Sequence, residues 1–288
     1  MDGAEGARRK RPLRAASATP TDEAYAVHHR TGLELPTLAS DHGGASLGRE
    51  DLLKDGTGCA CVWPAAEVLC DFLVEAQEAR SWQLPSRIIE LGSGVGLPGL
   101  LAAKLGASSV TLTDYHPVVL SRLHATIARN GLQQRCRVEA LDFEDGTDRA
   151  SGAPRWPLAI GADLAVSGRG AASLARAARR VMLGWPGDDE QRCGSSRHAP
   201  GIFIYAHTER RAINRAADGS VAREASDSAL DALRDALSDL ECREVVTIPT
   251  NGEAGTEEHE PVRLLAFGVA GQTSQVLPVL CKAANVYL

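Results

Sequence analysis

The residues with the clearest chemical purpose lie between Glu90 and Asp114. The run Glu90-Leu-Gly92-Ser-Gly94-Val-Gly96-Leu-Pro98-Gly99 places glycines at 92, 94 and 96, with an acid in front of them. Glycines let a backbone approach a ligand closely, and the helix expected behind them begins with N–H groups that lack intrahelical partners. Asp114 follows Gly94 by twenty residues. A carboxylate there, at the end of the next strand, can accept hydrogen bonds from both hydroxyls of a ribose. Loop, helix and spaced acid together point to a nucleoside-containing cofactor. The loop taken alone also suits a tight structural turn.

The glycine spacing separates two kinds of cofactor. A dinucleotide fingerprint, G-x-G-x-x-G, needs glycine at 97, where this chain has Leu97. A dinucleotide also calls for phosphate compensation at the helix start. S-adenosylmethionine has no phosphate and carries a sulfonium cation, so the spacing favours this methyl donor over NAD. No metal site is expected. His28, His29 and His116 show no pairing at ligand spacing, and the seven cysteines include no C-x-x-C. Cys59 and Cys61 form a lone C-x-C, read as two ordinary buried thiols. Scattered cysteines, odd in number, fit a reducing compartment.

The elements that must hold these residues alternate regularly. Helices are expected over Val62–Ala79, Leu97–Leu105, His116–Arg129, Ala171–Leu183 and Ser226–Leu240. Strands are expected over Arg87–Leu91, Ser109–Thr113, Arg135–Leu141, Leu158–Val166, Gly201–Ala206, Glu244–Ile248 and Val262–Val269. Pro98 suits a first helical turn and Asn130-Gly131 a helix end. Repeated βα units imply an α/β, Rossmann-like fold: a seven-stranded, mostly parallel sheet with helices on both faces. The closing strand–loop–strand suggests an antiparallel last strand. The expected organisation is a basic, disordered tail (1–24), an N-terminal extension (25–61), one domain (62–270) and a C-terminal tail (271–288) that the pattern leaves unassigned.

Four features together resemble the seven-β-strand S-adenosylmethionine-dependent methyltransferases of the protein lysine methyltransferase-like family, often called family 16. They are Val62-Trp63-Pro64-Ala65-Ala66 opening a helix, the glycine run, Thr113-Asp114, and Gly161-Ala162-Asp163 closing the fourth strand. The resemblance covers about residues 56–270. It implies that Trp63 meets the methionine end of the cofactor and that Gly92, Ser93 and Gly94 give backbone contacts. It further implies that Asp114 binds the ribose, that Phe143 stacks on the adenine with Asp142 near the exocyclic amine, and that Ala162 lines the pocket. Trp63 and Phe143 also suit plain core positions. Asp163 is the candidate for orienting the methyl acceptor, with capping of the next segment as the other reading. The resemblance also implies a tyrosine three residues after that aspartate, a common feature of the family. Here Val166 stands instead, which leaves acceptor recognition open.

Ligands of open α/β sheets sit at the carboxyl ends of the strands. That rule gathers 163–169, 207–211 and the 249–260 loop at one rim. The loop carries Glu253, Glu257, Glu258 and Glu260, an acidic set suited to a cationic peptide, or simply to water. The expected partner is therefore a protein with a basic side chain: lysine first, arginine or histidine next. A small-molecule or nucleic-acid methyltransferase, and a cofactor-binding module without catalysis, are the alternatives. The net charge of −6 and the lack of a basic patch with interleaved aromatics count against nucleic acid. No run approaches the ~20 apolar residues of a membrane span. The expected location is cytoplasmic, or nuclear if Arg8, Arg9, Lys10 and Arg11 act as an address.

Overall fold

The computed structural model describes residues 25–36, 62–78, 82–144, 156–184, 200–211, 213–215, 221–224, 226–248 and 261–271. Both tails, Cys59 and Cys61, the basic cluster and the acidic 249–260 loop lie outside the described residues.

Sixteen elements occur among them. A hairpin of β1 (Tyr25–Val27) and β2 (Glu34–Pro36) precedes α1 (Pro64–Glu78). Then come β3 (Arg87–Glu90), α2 (Leu97–Lys104), β4 (Ser109–Asp114), α3 (Pro117–Arg129), β5 (Cys136–Ala140), β6 (Leu158–Ala162) and α4 (Gly168–Leu183). The chain continues through β7 (Ile202–Thr208), β8 (Ile213–Arg215), β9 (Val221–Arg223), α5 (Ser228–Ala236), β10 (Glu241–Ile248) and β11 (Val262–Gly268).

Seven strands form one sheet in the order β10-β11-β7-β6-β3-β4-β5. The pairs among β7, β6, β3, β4 and β5 are parallel. β11 runs antiparallel between β10 and β7. The expected seven-stranded, mostly parallel sheet with an antiparallel closing strand is therefore present. The order reverses between β3 and β6, and this switch point is where the glycine loop leaves the sheet.

Period-two alternation sends side chains of each central strand to opposite faces. Ile88, Leu158, Ile160, Ile204 and Leu264 meet α1, α2 and α3 through Leu69, Leu73, Leu100, Leu101, Val119 and Leu123. Ile89, Ala159, Phe203, Tyr205, Leu265 and Phe267 meet α4 and α5 through Leu174, Ala178, Met182, Leu230 and Leu233. Helices thus cover both faces, and each fully buried leucine or isoleucine contributes about 1.5–3 kcal/mol. The β1–β2 hairpin adds Leu33 and Leu35 to the first face. Polar ties hold it there: Asn130 Oδ1 accepts the Glu34 N–H at 2.9 Å, and Lys104 Nζ donates to the Thr31 carbonyl at 2.7 Å.

Three expected boundaries move. The strand expected over 158–166 stops at Ala162, because Asp163 takes a left-handed φ of 55° and turns the chain out of the sheet. The helix expected over 226–240 is shorter, starting after Asp227, whose side chain caps it, and ending at Ala236. The strand expected from Glu244 begins at Glu241, and a register shift between Glu244 and Val246 breaks its alternation. The hairpins β1–β2 and β8–β9 have strands of three residues, too short for a periodic signal.

Candidate active site

The glycine loop is built from backbone geometry. Gly92, Gly94 and Gly96 have φ of 57°, 51° and 80°, a region that L side chains rarely adopt. At Gly92 a Cβ would also sit 2.4 Å from Leu164 Cδ2, so loop and post-β6 segment touch only because the position is bare. Ser93 locks the loop to β4. Its N–H donates to the Thr113 carbonyl at 2.7 Å, and its Oγ accepts the Thr113 N–H at 3.0 Å. The Ser93 N–H is thus committed within the protein and is not a free donor.

Asp114 ends β4, 5% exposed. Its Oδ2 accepts the Gly94 N–H at 3.2 Å and its Oδ1 the His116 N–H at 3.0 Å. Burial raises its pKa above the ordinary value, and these N–H bonds pull it back. Acid and loop are therefore one unit, with the carboxylate orientation fixed by backbone. The Asp114 carbonyl accepts the Leu141 N–H at 2.9 Å, which brings the segment after β5 to the same place. There Asp142 Oδ1 accepts the Glu144 N–H at 2.9 Å.

Glu90, the acid before the glycines, is 3% exposed. Its Oε2 accepts the Gly99 N–H at 3.2 Å. Burial drives its pKa from 4.5 up to about 8, Gly99 draws it down, and the nearby Asp114 charge adds to the rise.

These groups face one cavity of about 660 Å³. Trp63, Gly92, Ser93, Gly94, Asp114, Phe143, Ala162 and Asp163 all line it. They arrive from six places: the turn before α1, the β3–α2 loop, the end of β4, the segment after β5, the end of β6 and the turn behind it. Trp63 and Phe143 are both only partly buried and turned to the cavity. Asp163 is enclosed. Its Oδ1 accepts the Thr208 N–H at 2.7 Å, its Oδ2 accepts the Thr208 hydroxyl at 2.7 Å, and Arg210 Nη2 lies 3.2 Å from Oδ1. Asp163 is thus tied to Arg210 and the end of β7 while it lines the cavity.

The sequence reading missed several wall residues. Tyr115, 52% exposed, directly follows the ribose-acid candidate, and that adjacency was the available signal. Glu90 was seen only as an acid before the glycines. Arg210 belongs to the 207–211 rim segment and does reach the cavity. His207, expected at that rim, is instead wholly buried. Val166, the residue at which the sequence departs from the tyrosine that the resemblance implies, is 67% exposed at the cavity edge. Among the described residues no group of three or more His, Cys, Asp or Glu could hold a metal, and no helix is long and apolar enough to cross a membrane.

The cavity's charge fits the cofactor that the glycine spacing favours. Among the described residues its wall carries Glu90, Asp114, Asp142, Glu144 and Asp163 against one cation, Arg210, already paired with Asp163. Such a wall suits an unphosphorylated, positively charged nucleoside better than a pyrophosphate. Sheet order and site together define the class: a Rossmann-like, class I S-adenosylmethionine-dependent methyltransferase fold. Residues 47–182 match the family described as lysine methyltransferase. A protein N-lysine methyltransferase METTL21A of Danio rerio is 39% identical over 108 residues, 36% of this chain and 47% of that protein. The calmodulin-lysine N-methyltransferase of Arabidopsis thaliana is 40% identical over 79 residues, 27% of this chain and 25% of that one. An EEF1A lysine methyltransferase 3 of Xenopus tropicalis is 32% identical over 152 residues, 51% and 58% of the two chains. The matches thus span between a quarter and somewhat over half of these relatives' lengths.

Proposed function

We propose that this protein transfers the methyl group of S-adenosylmethionine to the side-chain amine of a lysine in a protein substrate. One observation carries the reading: eight residues singled out by spacing and resemblance, from six separate places in the chain, line a single acid-rich cavity at the sheet's switch point. The family match and the lysine-methylating relatives supply the acceptor class.

When bound, the cofactor supplies an activated methyl group on a sulfonium, so displacement needs neither metal nor covalent enzyme intermediate. The chain's work is to seat and align. Asp114, oriented by Gly94 and His116, receives the ribose hydroxyls. Phe143 and Tyr115 offer ring faces to the adenine, and Asp142 its remaining carboxylate oxygen. Glu90 and Trp63 lie toward the cationic methionine portion. Gly92, Ala162 and the loop backbone let the cofactor approach closely. Leu164, Val166 and Arg210 form a further part of the wall and receive the acceptor. Holding donor and acceptor in line can supply up to ~7–11 kcal/mol of the barrier reduction. The amine must be neutral to attack, so turnover depends on acceptor deprotonation.

The test is incubation of the protein with tritiated S-adenosylmethionine and a cell lysate, followed by gel autoradiography. A labelled protein band that disappears with Asp114→Ala is the expected result. Label in metabolites or nucleic acid would redirect the acceptor assignment. Tight cofactor binding without any transfer would favour a non-catalytic module, the reading to which the exposed Val166 lends weight.

A further inference from the structure

Beneath the Asp163–Val166 turn lies a polar chain that the seating of cofactor does not use. Tyr205, His207 and Asp227 are 0%, 0% and 4% exposed. The Tyr205 hydroxyl accepts the Leu164 N–H at 3.0 Å and the Ala165 N–H at 2.8 Å. It also lies 3.1 Å from His207 Nδ1. A hydroxyl has two lone pairs and one proton. Both lone pairs are taken by N–H groups that can only donate, so the proton must point to His207 Nδ1. Burial pushes this hydroxyl's pKa well above its ordinary range, which keeps the proton in place. Nδ1 therefore carries none, and neutral His207 holds its proton on Nε2, 2.9 Å from Asp227 Oδ2.

Asp227 spreads the constraint further. Its Oδ1 caps α5 through the N–H groups of Ala229 and Leu230, at 2.9 and 3.0 Å. Its Oδ2 also accepts the Arg210 N–H at 2.5 Å. Burial would raise its pKa, yet the bonds from His207, Arg210 and Leu230 hold it below the ordinary value. One path of hydrogen bonds thus joins the post-β6 turn, the end of β7, the start of α5 and Arg210. Leu164, Val166 and Arg210 are the cavity wall assigned above to the acceptor. The Tyr205 ring is held independently, stacked on Phe203 at 5.6 Å.

We propose that Tyr205, His207 and Asp227 are positioning residues: a buried relay through neutral, Nε2-protonated His207 that sets the acceptor wall and holds it by hydrogen bonds to Leu164, Ala165 and Arg210 rather than to Asp114 or the glycine loop. Buried networks of this kind fix one geometry when every member is satisfied and lose it when one is not. The inference rests on the methyl-transfer reading, and its test separates the two.

Nitrogen-15 NMR of the imidazoles in the wild-type protein reads the tautomer directly. His207 should show an unprotonated Nδ1 and a protonated Nε2, and the reverse assignment overturns the relay whatever the activity. Tyr205→Phe removes one oxygen and keeps the stacked ring. At saturating S-adenosylmethionine, its tritium transfer into total lysate protein should fall at least tenfold. Its calorimetric affinity for S-adenosylhomocysteine should stay within twofold of wild type. Unchanged transfer by a folded variant, or an equal loss of transfer and cofactor affinity, overturns the positioning role. If wild-type protein bound no S-adenosylhomocysteine, the methyl-transfer reading would fall instead, while the tautomer measurement would still decide the relay.

Discussion

Replacing Glu90 with glutamine should make the protein's stability far less sensitive to pH. Glu90 is buried against the glycine loop, and burial lifts its pKa from 4.5 to about 8. Between those values the unfolded chain carries an ionised Glu90 and the folded chain a protonated one. Folding then takes up a proton, so this group's contribution to stability worsens as pH rises from 4.5 and levels off above 8. A shift of about 3.5 units at 1.36 kcal/mol each gives about 5 kcal/mol at the plateau. At pH 7 the same relation gives a cost of about 3 kcal/mol, and at pH 5 about 1 kcal/mol. The pH 5 to pH 7 difference, about 2 kcal/mol, corresponds to about 4–8 °C in Tm for a domain of this size. Glutamine keeps an oxygen for the Gly99 N–H and cannot titrate. Any misfit of its NH2 group shifts the variant's whole curve and leaves the slope to report the carboxyl. The assay is thermal unfolding of both proteins at half-unit steps from pH 5 to 8, without cofactor. The wild-type Tm should fall relative to the variant across that window. Parallel curves would refute the argument and show Glu90 to be ionised in the folded protein. Calorimetry of S-adenosylmethionine binding at pH 7, in two buffers of different ionisation enthalpy, checks the functional side. Wild type should release close to one proton as the cation draws Glu90 into its charged form, and Glu90→Gln none.

Asp114→Ala should weaken S-adenosylhomocysteine binding by about 1.5–3 kcal/mol, the worth of hydrogen bonds to a charged group, with circular dichroism unchanged. NAD should not bind either form, and calorimetry with both ligands decides each point. Gly99→Ala should cost about 1–3 kcal/mol by thermal unfolding, because overpacking is expensive in a filled core. Its Cβ would stand 2.5 Å from Glu90 Oε2 and 2.8 Å from Leu112 Cδ2. Replacing Glu253, Glu257, Glu258 and Glu260 with glutamine should raise KM for a basic protein substrate and leave cofactor affinity unchanged. That effect should shrink as salt rises, since the Debye length is ~8 Å at physiological ionic strength. Equal KM and salt dependence for both proteins would remove the loop from substrate attraction.

That the glycine loop and Asp114 would meet at one place was legible in the sequence because it is a local affair. The glycine run, the strand before it and the helix after it are contiguous, and Asp114 is one βα unit away. The alternation of Ile88 with Ile89 and the apolar stripe of α3 fixed the elements without long-range information. Even the antiparallel closing strand followed from the missing helix between β10 and β11.

What the tertiary structure decided was the state of each polar group. Asp163 read as orienting the acceptor or capping the next segment, yet the turn at its own φ of 55° delivers it to Thr208 and Arg210, 45 and 47 positions away. Ser93 read as giving a backbone contact to the cofactor, yet β4 lies close enough to claim its N–H. His207 read as a rim residue, but strand alternation turns it inward to Tyr205 and Asp227. Spacing along a chain tells which residues share an element. Desolvation and hydrogen-bond competition depend on which elements meet, and that is settled only when the two faces of the sheet are covered.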